Sequence, residues 1–357
     1  MNVRMMQWRP MALAVAVSLV GVATTACRPA ASSNTPAAVT PSTVLTGRVT
    51  VDGSSTVLPM SRVTAAAFRS AHPAVAVEVN ESGTGGGFQK LCDGQVDLIG
   101  ASRPINAEES QRCEANRVEF VELPVAFDSV AVVVNSDNKL VECLTVPQLR
   151  NVWRPEAEGK AKWWSDIRGT LPAKPLHLFG PGKASGTFDY FTLAVVGTQS
   201  SSRSDYTKSE DDEELVRGVA ADPDALGYFG YAYYLAHKDA LKLVAIDNGK
   251  GCVLPSSETV ADGTYQPLSR PLFVYASLPA IARPEVLALA DEYVGPDNAA
   301  RVREIGYVPL PTATLLSVGR RLHEGVTGSI FGNRGSVLGV TSDVFNEDDR
   351  VRSALVR

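Results

Sequence analysis

Three short segments combine glycine with hydroxyl residues, each directly before an apolar run with helical spacing. They read DGSSTVLPM at 52–60, ESGTGGGFQKL at 81–91 and FGPGKASGTFDYF at 179–191. The first turn of a helix leaves backbone N–H groups without partners, and serine or threonine adds hydroxyl donors there. One such loop is typical of ordinary helix capping. Three of them predict a site where helix N-termini converge on one anion with several acceptor oxygens.

None of the three loops matches a nucleotide-binding or nucleophile motif. Phe88 stands where a dinucleotide fingerprint needs its third glycine, and Ala184 follows Lys183 where a Walker loop needs serine or threonine. The order G-K-A-S-G also has the wrong spacing for a nucleophile elbow. Arg103 ends a predicted strand near the first two loops. It is a suitable bidentate partner for an oxyanion, and a solvated turn is the alternative interpretation.

The elements that must position these loops alternate between strands and helices. Runs of period 2, such as GRVTVDG and AVAVEV, alternate with helical runs, such as LPMSRVTAAAFRSAH and AEESQRCEAN. This rhythm predicts an α/β fold with a mostly parallel sheet covered by helices on both faces. In such sheets ligands bind beyond the carboxyl ends of the strands, which is where the three loops fall.

Two lobes are expected, because a chain of 357 residues is too long for one small core. The run VEFVELPVAFDSVAVVVN is long for one strand and is predicted to pass between the lobes near Pro124. PLFVYAS, at 271–277, is the predicted return. The predicted lobes are residues 47–124 with 271–357, and residues 125–270. Two crossings form a frame that opens and closes around a ligand.

The two ends of the chain differ from the predicted lobes. Residues 1–27 resemble an export signal, with two arginines before an apolar run that is too short to span a bilayer. Small residues before Cys27 indicate lipoprotein processing with Cys27 as the acylated N-terminus, and ordinary signal cleavage nearby is the alternative. Residues 28–46 are a predicted flexible linker. The expected location is therefore the periplasm or the cell surface, with a lipid anchor as the only membrane contact.

Four further cysteines follow, namely Cys92, Cys113, Cys143 and Cys252. An even number outside the cytoplasm favours disulfides, and four cysteines allow three connectivities. We prefer Cys92–Cys113 and Cys143–Cys252, because each pair then stays within one predicted lobe. The spacings do not suit a zinc site, and no metal or cofactor is expected. A net charge of −5 argues against binding to nucleic acid.

Six motifs, in order along the chain, carry a family resemblance. They are VDGSSTV, SGTGGGFQKL, VDLIGASRPI, SGTFDYF, SEDDEELVRGVAADPDALGYFGYAYY and GYVPLP, between about residues 47 and 330. Together they resemble the Pst-type phosphate-binding lipoproteins of bacterial ABC importers, especially the cyanobacterial branch. The resemblance implies a two-lobed periplasmic-binding-protein fold (type II) without catalysis. It also implies that inorganic phosphate is trapped between the lobes and handed to an ABC permease in the membrane, and we expect a monomer.

The resemblance implies ligands from all three loops. The ligand positions of the family fall on Ser55, Thr56, Val57, Thr84, Ser185, Gly186 and Thr187, with Val57 contributing its backbone N–H.

Two positions depart from the best-known members of the family. Those members carry an aspartate where this chain has Arg103, and the aspartate accepts a hydrogen bond from a protonated phosphate oxygen and so rejects sulfate. They also carry Arg-x-Asp before Ser-Gly-Thr, where this chain has residues 181–183, Pro-Gly-Lys. An acidic residue elsewhere is then expected to be the acceptor, with Asp189 and Asp205 as candidates and Arg203 as a candidate second cation. Ordinary roles at a helix start or in a solvated loop are the alternatives.

Other functions use the same donors. Sulfate, arsenate, molybdate or tungstate would suit the three loops equally well. A secreted phosphatase would need a nucleophile with a base, or metals. His177 precedes the third loop but lies in a predicted strand, and the sequence shows no metal-ligand motif. A third alternative is a phosphate sensor or surface protein, and only the predicted anchor and linker support it. The tail after Phe331 is predicted to be loosely structured.

Overall fold

The computed structural model describes residues 44–345. The predicted signal peptide, Cys27 and almost all of the predicted linker lie outside this range, as do residues 346–357. The strands are Gly47–Gly53 (β1), Val75–Val79 (β2), Leu98–Ala101 (β3), Phe120–Asn135 (β4), Cys143–Thr145 (β5), His177–Pro181 (β6), Thr207–Ser209 (β7), Ala225–Gly230 (β8), Leu241–Leu243 (β9), Ala245–Asp247 (β10), Cys252–Val253 (β11), Ser269–Ser277 (β12) and Val308–Pro309 (β13).

Helices follow most of these strands. They are Leu58–Ala71 (α1), Gly83–Cys92 (α2), Ala107–Ala115 (α3), Val146–Trp153 (α4), Trp164–Ile167 (α5), Gly186–Val196 (α6), Asp212–Ala221 (α7), Tyr231–Ala236 (α8), Ser257–Ala261 (α9), Leu278–Ile281 (α10), Pro284–Val294 (α11), Asn298–Glu304 (α12) and Thr312–His323 (α13). Short 3₁₀ turns occur at Pro155–Ala157 and Ser342–Phe345. Among the helices of the described range, none is long and apolar enough to cross a membrane.

One sheet runs through most of the described chain, in the order β2-β1-β3-β12-β4-β8-β6-β7, with β9 and β13 also paired to β4. A small second sheet has the order β11-β10-β5. The prediction of a mostly parallel sheet is wrong. Pairing is parallel at the two ends of the main sheet, between β1 and its neighbours and between β6 and its neighbours. Every pair that involves β4 or β12 is antiparallel. The reason is that β4 leads from the first half of the fold, which contains β1 to β3, to the second half, which contains β6 to β8, and β12 leads back.

Strand β4 joins two sets of apolar cores. Its first half contributes Val121 and Leu123 to a core shared with α1 and α11, and its second half contributes Val132 and Val134 to a core shared with α4 and α6. Successive side chains of a strand point to opposite faces, so the alternate residues of β12 and β4 enter two further cores. Helices therefore cover both faces of the sheet. The exact lobe boundaries given above stay a prediction.

Both preferred disulfides are present. Cys92, at the end of α2, is bonded to Cys113 of α3, and Cys143 of β5 is bonded to Cys252 of β11. Each bond therefore joins elements that are neighbours in the fold.

The prediction of a loosely structured tail after Phe331 is wrong for the residues that the structure describes. Phe345 packs against Phe273 and Phe331 in an apolar core. The segment just before the tail is held by the buried carboxylate of Glu122, which accepts a hydrogen bond from the Ile330 N–H at 2.8 Å. A buried glutamate in an apolar stretch of a strand needs such a partner, because an unsatisfied buried charge is very unfavourable.

Candidate functional site

The three glycine and hydroxyl loops each start a helix, as predicted. The hydroxyls of the first loop do not cap α1, whose first turn has no side-chain cap. Ser185 caps α6 by accepting a hydrogen bond from the Thr187 N–H at 3.1 Å. The Val57 N–H, which the resemblance assigns to the ligand, donates to the Ser54 carbonyl at 3.1 Å. The first loop therefore keeps its hydroxyls for contacts outside its own helix.

The loops from the two halves of the fold meet. The hydroxyl oxygens of Thr56 and Thr187 lie 3.0 Å apart, and the Gly85 N–H donates to the Ala184 carbonyl at 2.9 Å. Thr84 lies 3.2 Å from the hydroxyl of Ser102, a residue that the sequence did not single out. All of these hydroxyl side chains are buried. Helix α6 thus brings its N-terminus against the first and second loops, as the anion site requires.

A buried arginine that the sequence did not single out joins these hydroxyls. The Nη2 atom of Arg270, in β12, donates to Thr187 at 2.9 Å, to Thr56 at 3.1 Å and to Asp128 at 3.0 Å. Arg270 is 1% exposed, and its Nη1 atom has no hydrogen-bond partner among the described residues. A desolvated guanidinium needs anionic partners. We call Ser55, Thr56, Thr187 and Arg270 the anion cradle.

Asp128, directly opposite Arg270 in the pairing of β4 with β12, supplies one negative charge. Burial raises the pKa of Asp128, and the positive charge of Arg270 opposes that rise. The pair lies between the apolar cores of the two halves of the fold. The available signal in the sequence is a charged residue within an apolar run of each strand, Asp128 in AFDSVAVVV and Arg270 in SRPLFVYAS.

Asp212, at the start of α7, is a second acidic neighbour of the cradle. The Ser55 hydroxyl donates to its Oδ2 atom at 3.3 Å, whereas its Oδ1 atom has no partner within the described range. Burial raises the pKa of Asp212 to about 8, although the charge of Arg270 acts in the opposite direction. In the sequence this residue belongs to the acidic run EDDEE, which is typical of a helix start.

The structure gives Arg103 partners other than the cradle hydroxyls. Its Nε atom donates to Asp189 at 2.6 Å, and its two terminal nitrogens donate to Glu109 at 2.8 and 2.7 Å. Burial disfavours the charged form, yet Glu109 and Asp189 raise the pKa of Arg103 above its usual value. The other oxygen of Asp189 accepts from Ser200. Arg103 and Asp189 are therefore brought together, and each already serves the other as a counter-ion.

Arg203 and Asp205 are not brought to the cradle. Arg203 is buried in the second half of the fold, where it donates to the Val152 and Ala161 carbonyls at 3.1 and 2.9 Å. Asp205 accepts from Arg203 at 2.5 and 2.7 Å, and the hydrogen bonds of Arg203 lower its pKa to about 2. Lys183 is exposed in the third loop. These groups have the contacts of a structural ion pair and a solvated side chain.

Comparisons with known proteins agree with this architecture. A family model described as the PBP superfamily domain matches residues 33–297. SphX from Synechocystis sp. is 44% identical over 294 residues, which is 82% of this chain and 87% of SphX. The phosphate-binding protein PstS from Staphylococcus aureus is 34% identical over 76% of this chain and 81% of its own. A crystal structure described as a possible phosphate binding protein, from Planctomyces limnophilus, is 41% identical, with a TM-score of 0.58 over 79% of this chain and 99% of that one.

Proposed function

Because this chain belongs to the PBP superfamily, alongside SphX and the phosphate-binding protein PstS, we propose that it captures inorganic phosphate outside the cytoplasm and delivers it to an ABC importer. The observation that carries this proposal is the anion cradle. A buried guanidinium with one free nitrogen lies among hydroxyls that belong to both halves of the fold. An oxyanion with several acceptor oxygens satisfies these donors at once.

The proposed ligand set extends the predicted one. Arg270 is added as the cation of the site, next to Ser55, Thr56, Thr84, Ser185, Gly186 and Thr187. The Val57 N–H would have to leave the Ser54 carbonyl in order to reach the anion. Arg103 is reassigned from ligand to positioning residue, since it holds Asp189 of α6 against the segment that contains Glu109. Closure of the cradle then depends on that bridge.

The proposed test is a calorimetric titration of the purified protein with phosphate. Arg270→Lys keeps the charge but loses the planar fork of donors, and phosphate affinity is expected to fall roughly 10- to 100-fold. Arg203→Lys is the matched control, since Arg203 is also buried but has its partners elsewhere. Wild-type affinity in Arg270→Lys, or an equal loss in both variants, would contradict the assignment of Arg270.

We also propose that the chain is a binding protein and has no catalytic activity. The comparisons support this, because the relatives are phosphate-binding proteins by name. His177 pairs with Asp222 at 2.6 Å on an exposed edge, and in residues 44–345 no group of three or more His, Cys, Asp or Glu is placed to hold a metal ion. The expected turnover of p-nitrophenyl phosphate is nil, with or without added divalent metals. The proposal would be wrong if turnover persisted through purification and a substitution in this chain abolished it.

The remaining parts of the proposal concern location and partners. We propose acylation of Cys27, a periplasmic or cell-surface location, a monomeric state and an ABC permease as partner. Two lobes, residues 47–124 with 271–357 and residues 125–270, would close around the anion. To test the anchor, cells are labelled with fatty acid. We expect the wild-type protein to incorporate the label and Cys27→Ser to lose it. Labelling that persists in Cys27→Ser would rule out this site of acylation.

A further inference from the structure

The segment that follows α13 is anchored to the first half of the fold. The Ile330 N–H donates to the buried Glu122 carboxylate at 2.8 Å, and the Gly335 N–H donates to the Ile105 carbonyl at 3.1 Å. We call residues 328–345 the C-terminal strap. No residue of the strap belongs to the anion cradle, so any part that it plays in binding must pass through another element.

The strap also contacts the second half of the fold. The Ser336 N–H donates to the Oε1 atom of Gln199 at 3.0 Å, and Gln199 lies in the loop between α6 and β7. Ser336 is buried, so this hydrogen bond is shielded from water. Gly335 has a φ of +71°, and a Cβ atom there would lie 2.9 Å from the same Oε1 atom. Glycine therefore lets the backbone of the strap come close to the Gln199 amide.

Farther along the strap, a cavity takes the place of a packed contact. It has a volume of about 180 Å³ and is lined by Val340 and Ser342 of the strap and by Val260 and Gly263 of the second half. Atoms on opposite sides of an empty space gain little attraction from each other. The hydrogen bond to Gln199 is therefore the stronger link between the strap and the second half.

The loop that carries Gln199 is tied to α6. The Ser200 N–H donates to the Thr192 hydroxyl at 2.8 Å, and the Ser200 hydroxyl donates to Asp189. Helix α6 has 11 residues and is about 16 Å long, and Thr187 of the anion cradle lies in its first turn. A helix is a rigid hydrogen-bonded element, so a displacement at Gln199 also displaces the third loop.

Helix α6 is thus held against the first half of the fold near both of its ends. At the N-terminus the Thr187 hydroxyl lies 3.0 Å from that of Thr56, and beyond the C-terminus Gln199 accepts from Ser336. Contacts at one end alone, including the Arg103 bridge in the first turn, leave a helix free to pivot. A further contact about 16 Å away fixes its direction.

We propose that Gln199 is a positioning residue for anion capture, which binds the C-terminal strap, holds α6 in the direction that brings Thr187 to the anion cradle, and so slows release of the anion. This inference rests on the proposed function. If the two halves separate, water replaces Gln199 as the acceptor of the Ser336 N–H. Loss of the Gln199 amide is therefore felt only while the halves are together around the anion.

The test compares two leucine variants by calorimetric titration with phosphate and by trapping of the phosphate that loaded protein releases. In Gln199→Leu the affinity is expected to fall roughly 3- to 10-fold, nearly all of it as faster release. Gln199→Glu keeps an acceptor oxygen and is expected to bind nearly as wild type. Gln148→Leu is the matched control, because Gln148 is also half-buried and accepts from the Thr145 N–H at 3.0 Å within the second half. Its phosphate affinity is expected to be that of wild type.

Urea denaturation separates positioning from a merely structural role. Gln148→Leu is expected to lower the free energy of unfolding with and without phosphate. Gln199→Leu is expected to lower it in saturating phosphate but not in phosphate-free buffer, because only the anion-bound arrangement uses this contact. Equal affinities in the two leucine variants, or an equal loss of stability in Gln199→Leu in both buffers, overturns the inference.

A second measurement uses wild type alone and does not depend on the folding of a variant. Saturating phosphate is expected to slow hydrogen exchange of the Ser336 N–H by about tenfold more than that of the Ile330 N–H. The Ile330 N–H is the internal control, since it is bonded within the first half. Slowing at Ser336 that is no greater than at Ile330 overturns the inference. Failure of wild type to bind phosphate overturns the proposed function instead.

Discussion

At the scale of single residues, the candidate site is organised by one buried guanidinium. Nη2 of Arg270 alone contacts three acceptors, which belong to the first loop, the third loop and β4. Hydrogen bonds to a charged group are about twice as strong as neutral ones, and more so away from water. In the arrangement that the structure describes, Arg270 thereby holds the hydroxyls of Thr56 and Thr187 together.

Removing the counter-ion of Arg270 is expected to destabilise the protein. Asp128→Asn leaves a buried positive charge without compensation, and breaking such a pair costs about 3–5 kcal/mol in the free energy of unfolding. Urea denaturation in phosphate-free buffer measures this loss. Saturating phosphate is expected to restore part of it, because a bound anion again compensates the charge.

The control for this experiment is Asp205→Asn. Asp205 also pairs with a buried arginine, but its side chain is 35% exposed, so water replaces much of the lost interaction. A loss in Asp128→Asn no larger than in Asp205→Asn would mean that Arg270 does not depend on Asp128.

At the scale of elements, the N-terminus of α6 lies directly against the first and second loops, and glycine at position 186 makes this close approach possible. A Cβ atom at Gly186, the first residue of α6, would lie 2.5 Å from the Ser102 hydroxyl and 2.7 Å from that of Thr84. Only glycine therefore lets α6 approach the second loop as closely as it does. At Gly85 the nearest atom to such a Cβ is 3.5 Å away, which is ordinary contact.

Gly186→Ala is therefore expected to hold α6 away from the first half of the fold. Phosphate affinity should fall roughly 10- to 100-fold, since overpacking of this kind costs about 1–3 kcal/mol. The radius of gyration from small-angle scattering in saturating phosphate should exceed that of wild type. Gly85→Ala is the matched variant and should leave both quantities unchanged. If the two alanine variants behave alike, the close contact at Gly186 is not what sets affinity.

The sequence was sufficient for most elements and for the three loops, because these follow from periodicity and from local chemistry. The long β4 strand, the return strand β12 and the two disulfides were predicted. Strand direction was not, since pairing between distant segments leaves no local pattern. Arg270, Asp128 and Asp212 were missed for the same reason. None of them stands out by a local motif, and only the fold brings the three together.

At the scale of the whole molecule, the pH dependence of stability follows from a buried acid. The carboxyl of Asp212 has a pKa of about 8 in the folded protein against an ordinary value of 3.8. The folded state therefore holds a proton that the unfolded state has lost between these two pH values. The free energy of unfolding must fall as pH rises across that window, and this contribution becomes constant above about pH 8.

Asp212→Asn is expected to remove this dependence. Between pH 5 and pH 9 the variant should gain on the order of 4 kcal/mol relative to wild type, from about three pH units of linkage at about 1.4 kcal/mol each. Urea unfolding at a series of pH values in phosphate-free buffer measures the difference. Asp211→Asn changes the same formal charge and serves as the reference. Parallel pH profiles for wild type and Asp212→Asn would show that burial of Asp212 has no such effect.

The position of Arg270 and Asp128 on the two crossing strands has a consequence for capture. They face each other where β4 and β12 pass between the apolar cores, with Ala126 in one core and Val130 in another. If the two proposed lobes open, we expect this charge pair, which lies on the crossing strands, to keep its geometry while the loops on either side move apart. We expect an incoming anion to meet a fixed cation first and to gather the travelling hydroxyls afterwards.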